Sequence, residues 1–185
     1  MSLSLKEKLL LVRLKKKDKD AFGELYDLYV ASIYRFIFFK VPTRQDAEDL
    51  TSETFLKIWN YVAETQEEVK NLKSLLYTTA RNLVVDFYRK KSQVQLVGDE
   101  ETLLKIEDSR QQNILSQIDI KAEVNNIEEI IKGLKDEYRE VIVMRYVEQL
   151  SITEIAEVLN KSKGSVRVLV HRALKVVKET IEKNV

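Results

Sequence analysis

The stretch Leu150–Glu179, LSITEIAEVLNKSKGSVRVLVHRALKVVKE, decides how the rest of the chain is read. Ile155, Ala156 and Leu159 recur at helical spacing before Asn160, and Val166, Leu169, Val170 and Ala173 recur after it, so two helices can present apolar faces to each other. Asn160 stands where the first helix must end in a left-handed residue, which Asn tolerates better than most non-glycine residues, and Ser162 is placed to cap the second. The spacing predicts a helix-turn-helix. Its second helix carries Lys163, Arg167, His171, Arg172, Lys175 and Lys178, and no acidic residue between them. With the apolar side turned inward, Lys163, Ser165, Arg167, Val168, His171, Arg172 and Lys175 fall on the remaining face, where a major groove would meet them, Arg167 and Arg172 being the strongest candidates for base or phosphate contacts. A basic helix alone fits a solvated cationic face equally well, and the capped turn is what favours a DNA-reading element. His171, the sole histidine, has no nearby carboxylate or second ligand in the sequence, so it is read as a polar DNA contact and not as a metal ligand or catalyst.

Outward from this motif, the composition is that of an all-α protein: only four Gly and one Pro interrupt 185 residues rich in Leu, Lys, Glu and Arg. Apolar residues make up 44% of the chain, enough to bury the core of one large domain or two small ones. The absence of Cys excludes disulfides and thiolate metal sites, and a cytoplasmic location fits. At the N-terminus, MSLSLKEKLLLVRLKKK is broken by charge every few residues, unlike a secretory segment or a membrane span, so no membrane insertion is expected. A net charge of +1 conceals a strong internal separation. Asp119–Asn160 holds 5 basic and 10 acidic residues, whereas Lys161–Val185 holds 7 basic and 2 acidic.

Toward the N-terminus, Phe22, Leu25, Tyr26, Tyr29, Ile33 and Ile37 mark a long amphipathic helix with Asp18 or Asp20 as its cap. Val41-Pro42 breaks the pattern, and Thr43 with Asp46 opens a new helix from Arg44 to about Val62. The polar stretch AETQEEVKN reads as a loop, and helical periodicity returns from Leu72 to Lys91, completing an N-terminal domain of four helices over residues 1–91. Residues 92–118, acidic and without a sustained period, read as a flexible linker. A second small helical domain follows over 119–185, with helices at Ala122–Gly133, Asp136–Val147, Ile152–Leu159 and Lys163 to about Glu182.

Two further stretches carry chemistry. In DAEDLTSETFLKIW, Ala47, Leu50, Thr54, Phe55 and Ile58 form an inward stripe, which leaves Asp46, Asp49 and Glu53 together on another face. Asp49 and Glu53 repel each other at i, i+4, so the arrangement suits a basic partner surface. Paired carboxylates also suggest an enzyme, but no companion His, nucleophile or glycine-rich phosphate loop completes a catalytic site, and no catalytic residue, metal or cofactor is assigned. In LKSLLYTTARNLVVDFYRKKS, Tyr77, Phe87 and Tyr88 lie among Lys73, Arg81, Arg89, Lys90 and Lys91, a mixture suited to single-stranded DNA. Tyr77 and Phe87 at helical spacing are more simply core residues, which shifts the functional weight to Asn82 and the terminal basic run.

These three blocks, in this order from about Phe22 to Lys178, resemble the extracytoplasmic-function sigma factors of the sigma-70 family. The resemblance implies a region 2 domain followed by a region 4 helix-turn-helix domain, with core RNA polymerase, promoter DNA and an anti-sigma factor as partners. Asp46, Asp49, Glu53 and Trp59 would dock on the beta-prime clamp helices, and the beta flap would be a second polymerase contact. Asn82 would read the non-template strand of the minus-10 element, with Lys73, Arg81, Asp86, Arg89 and Lys90 nearby, and the loop Glu64–Lys73 would hold a flipped base. Lys163, Ser165, Arg167, Val168, His171, Arg172 and Lys175 would meet the minus-35 element. The chain departs from the family pattern with Ser52 in place of Gln, Leu75 in place of an aromatic, Asn160 in place of Gly, and Val168-Leu169 where Ser-Arg is common. Val168 is then available to touch a thymine methyl. An autonomous helix-turn-helix regulator, and an adaptor that binds polymerase without reading DNA, are the competing readings.

Overall fold

The computed structural model describes residues 5–65, 68–97 and 120–184, and these contain helices and no strand. The N-terminal half comprises α1 (Leu5–Lys15), α2 (Lys19–Phe38), α3 (Arg44–Glu64) and α4 (Leu72–Val97). The C-terminal half comprises α5 (Ile120–Gly133), α6 (Asp136–Ile142), a π-helical segment (Val143–Val147), α7 (Ile152–Leu159) and α8 (Lys163–Asn184). Among the described residues no helix is long and apolar enough to cross a membrane.

Local chemistry sets most helix ends. Asp18 caps α2, its Oδ1 accepting from the amides of Asp20 at 2.9 Å and Ala21 at 3.3 Å. Its other oxygen takes the Arg13 Nε–H at 2.7 Å, and this guanidinium holds the Asp18 carboxyl below its ordinary value. After Pro42, Thr43 caps α3 by accepting from the Asp46 amide at 3.1 Å. Asn71 caps α4 by accepting from the Ser74 amide at 3.0 Å. Each such cap is worth about 1 kcal/mol. The apolar stripes of these helices meet in a core that includes Leu14, Leu25, Ile33, Phe36, Phe55, Ile58, Leu72 and Tyr77. Phe36 and Tyr77 pack edge to face with centroids 5.3 Å apart.

Helix α4 corrects the expected boundary at Lys91. It continues to Val97, and SQVQLV after Lys91 contains neither Gly nor Pro to break it. The expected linker therefore begins inside a helix, and its remainder, 98–118, lies outside the described residues.

The segment expected as one helix from Asp136 to Val147 ends in a π-helical turn. Glu148 N donates to Val143 O at 2.9 Å, Leu150 N donates to Met144 O at 2.8 Å, and Gln149 takes φ 54° between them. This extra winding leaves Glu148 buried against the N-terminal half. The two halves are in contact, chiefly where α4 packs against α7.

Candidate nucleic-acid and polymerase interfaces

The C-terminal motif has the geometry its sequence requires. Ser151 and Glu154 form a complete capping box: Glu154 N donates to Ser151 Oγ at 3.2 Å, and Ser151 N donates to the Glu154 carboxylate at 2.7 Å. Burial alone would raise the Glu154 carboxyl, but the hydrogen bonds from Ser151 outweigh it and hold the group below its ordinary value. Asn160 ends α7 at φ 50°, ψ 47°, and Ser162 accepts from the Ser165 amide at 3.1 Å to start α8. Val166, Val170 and Ala173 are buried and Leu169 half-buried against the core, so Lys163, Ser165, Arg167, Val168, His171, Arg172 and Lys175 are all exposed on the opposite side. Lys175 lies 3.8 Å from Glu179. Val168 is 51% exposed, a large aliphatic side chain within a cationic face. Lys161, Ser165, Val168, Leu169 and Arg172 line a shallow recess with Glu137 at its edge.

On α3, Ala47, Leu50, Thr54, Phe55 and Ile58 are buried, and Asp49 is exposed while Asp46 and Glu53 are half-buried. These carboxylates already have local partners. Asp46 accepts from the Thr43 hydroxyl at 2.6 Å, Asp49 from Gln45 Nε2 at 3.0 Å, and Glu53 lies 3.4 Å from Lys57 Nζ. Asp46 is therefore part of the helix start, whereas Asp49 is the most accessible acid of the three. Trp59 is half-buried and packs edge to face on Phe22 at 5.1 Å, so one side of its ring belongs to the core. Leu56, 57% exposed, and Tyr61, 42% exposed, add apolar surface to the same helix.

Along α4, Asn82, Arg89 and Lys90 are exposed, Asp86 is half-buried and pairs with Arg89 at 3.1 Å, and Tyr77 is fully buried, which removes it as a base-stacking platform. Phe87 packs against the core, as the plainer reading of its spacing requires. Of the loop Glu64–Lys73, Gln66 and Glu67 lie outside the described residues. Lys73 and Arg81 face the C-terminal half: Arg81 Nε lies 3.1 Å from Glu140 Oε1, and Lys73 Nζ lies 4.0 Å from Glu154.

Sequence reasoning missed the residues on either side of that contact. The same Glu140 oxygen also pairs with Lys40, whose ammonium is pushed down by burial and only partly restored by the carboxylate. Glu148 receives Arg35 through Nε at 2.9 Å and Nη2 at 3.1 Å, and the Tyr77 hydroxyl donates to it at 3.2 Å. Burial and the Glu148 charge push the Tyr77 phenol up, and the hydrogen bond to Glu148 pushes Arg35 up. Glu157 accepts from Asn71 Nδ2 at 3.0 Å and from the Ser74 hydroxyl at 2.7 Å. One signal was available: Glu140 adjoins Val141–Met144, a run with no polar residue and hence no solvent side, so its neighbour had to lie in an interface.

Comparisons with known proteins agree with this arrangement. Residues 25–94 match the family described as Sigma-70 region 2, and residues 125–177 match Sigma-70, region 4. The chain is 30% identical to the ECF RNA polymerase sigma factor SigX of Bacillus subtilis, across 89% of this chain and 85% of that protein. It is 31% identical to the ECF RNA polymerase sigma factor BldN of Streptomyces coelicolor, across 91% of this chain but only 63% of BldN. The fold resembles that of CnrH in its complex with the cytosolic domain of CnrY, with a TM-score of 0.72 at 18% identity over 96% of this chain and 97% of that one. It also resembles RpoE of Bartonella quintana, solved with the anti-sigma factor NepR, with a TM-score of 0.66 at 20% identity over 87% and 96% of the two chains. An acidic helix, a basic helix bearing Asn82 and a capped helix-turn-helix thus stand on a region 2 and a region 4 fold, and the chain belongs to the extracytoplasmic-function RNA polymerase sigma factors.

Proposed function

We propose that this chain directs core RNA polymerase to promoters by reading two DNA elements and helping to open one of them. In this reading residues 1–91 form the polymerase-docking and minus-10 domain, 92–118 the linker and 119–185 the minus-35 domain. The acidic face of α3, with Asp49 most accessible and Asp46, Glu53 and Trp59 beside it, docks on the beta-prime clamp helices. Asn82 contacts the non-template strand of the minus-10 element, with Lys73, Arg81, Asp86, Arg89 and Lys90 around it. The recess between α5 and α8, lined by Ile130, Leu134, Tyr138 and Val176, receives the beta flap. Lys163, Ser165, Arg167, Val168, His171, Arg172 and Lys175 engage the minus-35 element. The chain performs no chemistry itself, acts in the cytoplasm and is held by an anti-sigma factor until required.

The observation that carries this reading is the outer face of α8: seven exposed residues, four of them Lys or Arg, on a helix fixed by the Asn160 turn. Such a face supplies phosphate attraction and groove contacts together. The test is transcription from purified core polymerase plus this chain on fragmented genomic DNA of the source organism. Discrete starts sharing two spaced elements are expected, and Asn82→Ala should lower open-complex formation without weakening core binding. Failure to form a complex with core at low salt would overturn the proposal. Tight, sequence-specific binding to duplex DNA without core would instead favour an autonomous regulator.

A further inference from the structure

Val168 stands out on the α8 surface. It leaves 51% of its area in water on a face otherwise built of Lys, Arg, Ser and His. A single exposed aliphatic residue is ordinary, but this one has company. With half-buried Leu169 it supplies the apolar part of the recess whose rim holds Glu137, Lys161, Ser165 and Arg172. One turn toward the N-terminus stands Gly164, and neither its backbone nor its surroundings call for glycine. Its φ is not left-handed, and an added Cβ would meet only Ser162 Oγ, at 3.8 Å, an ordinary contact. Helical side chains lean toward the N-terminus of their helix, so Val168 leans over the bare turn at Gly164 with its methyl groups uncovered.

In a major groove, an uncovered aliphatic side chain finds one apolar feature among the donors and acceptors of the base edges, the C5 methyl group of a pyrimidine. We propose that Val168 and Leu169, left open by Gly164, form a seat for a C5 methyl group carried by thymine or by 5-methylcytosine, so that duplex reading by this chain depends on a methyl group at one pyrimidine. The inference rests on the reading that lays the α8 face in a major groove, and adds Gly164 and Leu169 to the residues that meet DNA. The polar rim of the recess does not choose between the two bases. Lys161 and Arg172 offer donors to thymine O4, and Glu137 offers an acceptor to the amino group of cytosine. The Ser165 hydroxyl, 2.8 Å from Ser162 Oγ, serves either. What the two bases share is the methyl group, and the selective part of the site is therefore the aliphatic one.

The test uses duplexes selected from a random pool by the full chain, with core polymerase and alone. Deoxyuridine then replaces each thymine in turn. Burying one methyl group is worth about four-fold in affinity, so one position should show a loss of that size. Exchange of that pair for cytosine-guanine, unmethylated and then 5-methylated, separates the sources: a gain of about four-fold on methylation shows that the seat takes either base, and no gain identifies thymine. Val168→Ala and Gly164→Ala should each bring the thymine duplex close to the deoxyuridine one, while their urea midpoints hold or rise. Indifference to deoxyuridine at every position overturns the proposal, as does a penalty that survives unchanged in Val168→Ala. Duplexes retained only without core, with the methyl dependence intact, would sink the promoter mechanism and leave the seat standing. A chain that retains no duplex in either form overturns both.

Discussion

Arg172→Ala provides the sharpest test of how α8 meets DNA. Arg172 is exposed on the face opposite Val166, Val170 and Ala173, so its removal should leave the unfolding midpoint unchanged to within about 0.5 kcal/mol. Its neighbours Lys163 and Arg167 share that face, while Lys175 is partly satisfied by Glu179 at 3.8 Å, which makes Arg172 one of about three strong cations there. Each phosphate contact contributes about 0.9 to the slope of log affinity against log salt, so Arg172→Ala should flatten that slope by about 0.9 if it holds a phosphate. Between 50 and 200 mM salt, that change makes the affinity loss about 3.5 times larger at the lower concentration. A bidentate contact to guanine would instead cost about 1–3 kcal/mol on cognate sites alone. The assay is binding of holoenzyme to a promoter fragment across a salt series, with Lys183→Ala as a control outside the groove-facing set. Equal affinity and equal slope in wild type and Arg172→Ala would refute placement of this face in the groove.

Three further outcomes follow from the same structure. Reversing both acids, Asp49→Lys with Glu53→Lys, should weaken core binding on the order of tenfold at low salt while thermal stability holds, read by fluorescence anisotropy against core and by calorimetry. Asn160→Ala should destabilise the chain by about 1 kcal/mol because alanine resists φ near 50°, and Asn160→Gly should be neutral or stabilising, as measured by urea unfolding. Glu154→Gln keeps an oxygen for the Ser151 amide but loses the charge; since the folded carboxyl lies below its ordinary 4.5, the wild-type advantage should be full above about pH 4.5 and vanish as pH falls through the lowered folded value. Urea midpoints of the two proteins at pH 7 and pH 3 check this.

What could be read from the sequence was local. Thr43, Asn160 and Ser162 act on backbone groups close to them along the chain, so their roles follow from spacing alone, whereas the capping box of Ser151 and Glu154, equally local, went unread. The buried stripes of α3 and α8 followed likewise from a 3.6-residue period. Helix α4 runs past Lys91 to Val97 because a polar stretch without a sustained apolar period does not by itself break a helix, and SQVQLV holds neither Gly nor Pro. The π-helical turn at Val143–Val147 escaped because one residue of extra winding hardly disturbs the apolar spacing of so short a segment. Glu140 and Lys40 were out of reach for a different reason: their partnership spans 100 residues and exists only once two independently patterned units meet.

That long-range partnership explains why the C-terminal domain segregates its charge. Exposed acids along α8 would repel phosphates, and bases on α6 and α7 would repel Arg35, Lys40 and Arg81. Most acids lie on one side and most bases on the other at near-zero net charge, Arg139 of α6, which donates to the Phe39 carbonyl, being an exception. The cost falls on Lys40, whose ammonium is pushed down by burial and would be stranded if Glu140 were removed alone. A contact retained only for strength would replace such a pair with packed aliphatic side chains. The salt series on α8 examines the solvent-facing side of that partition.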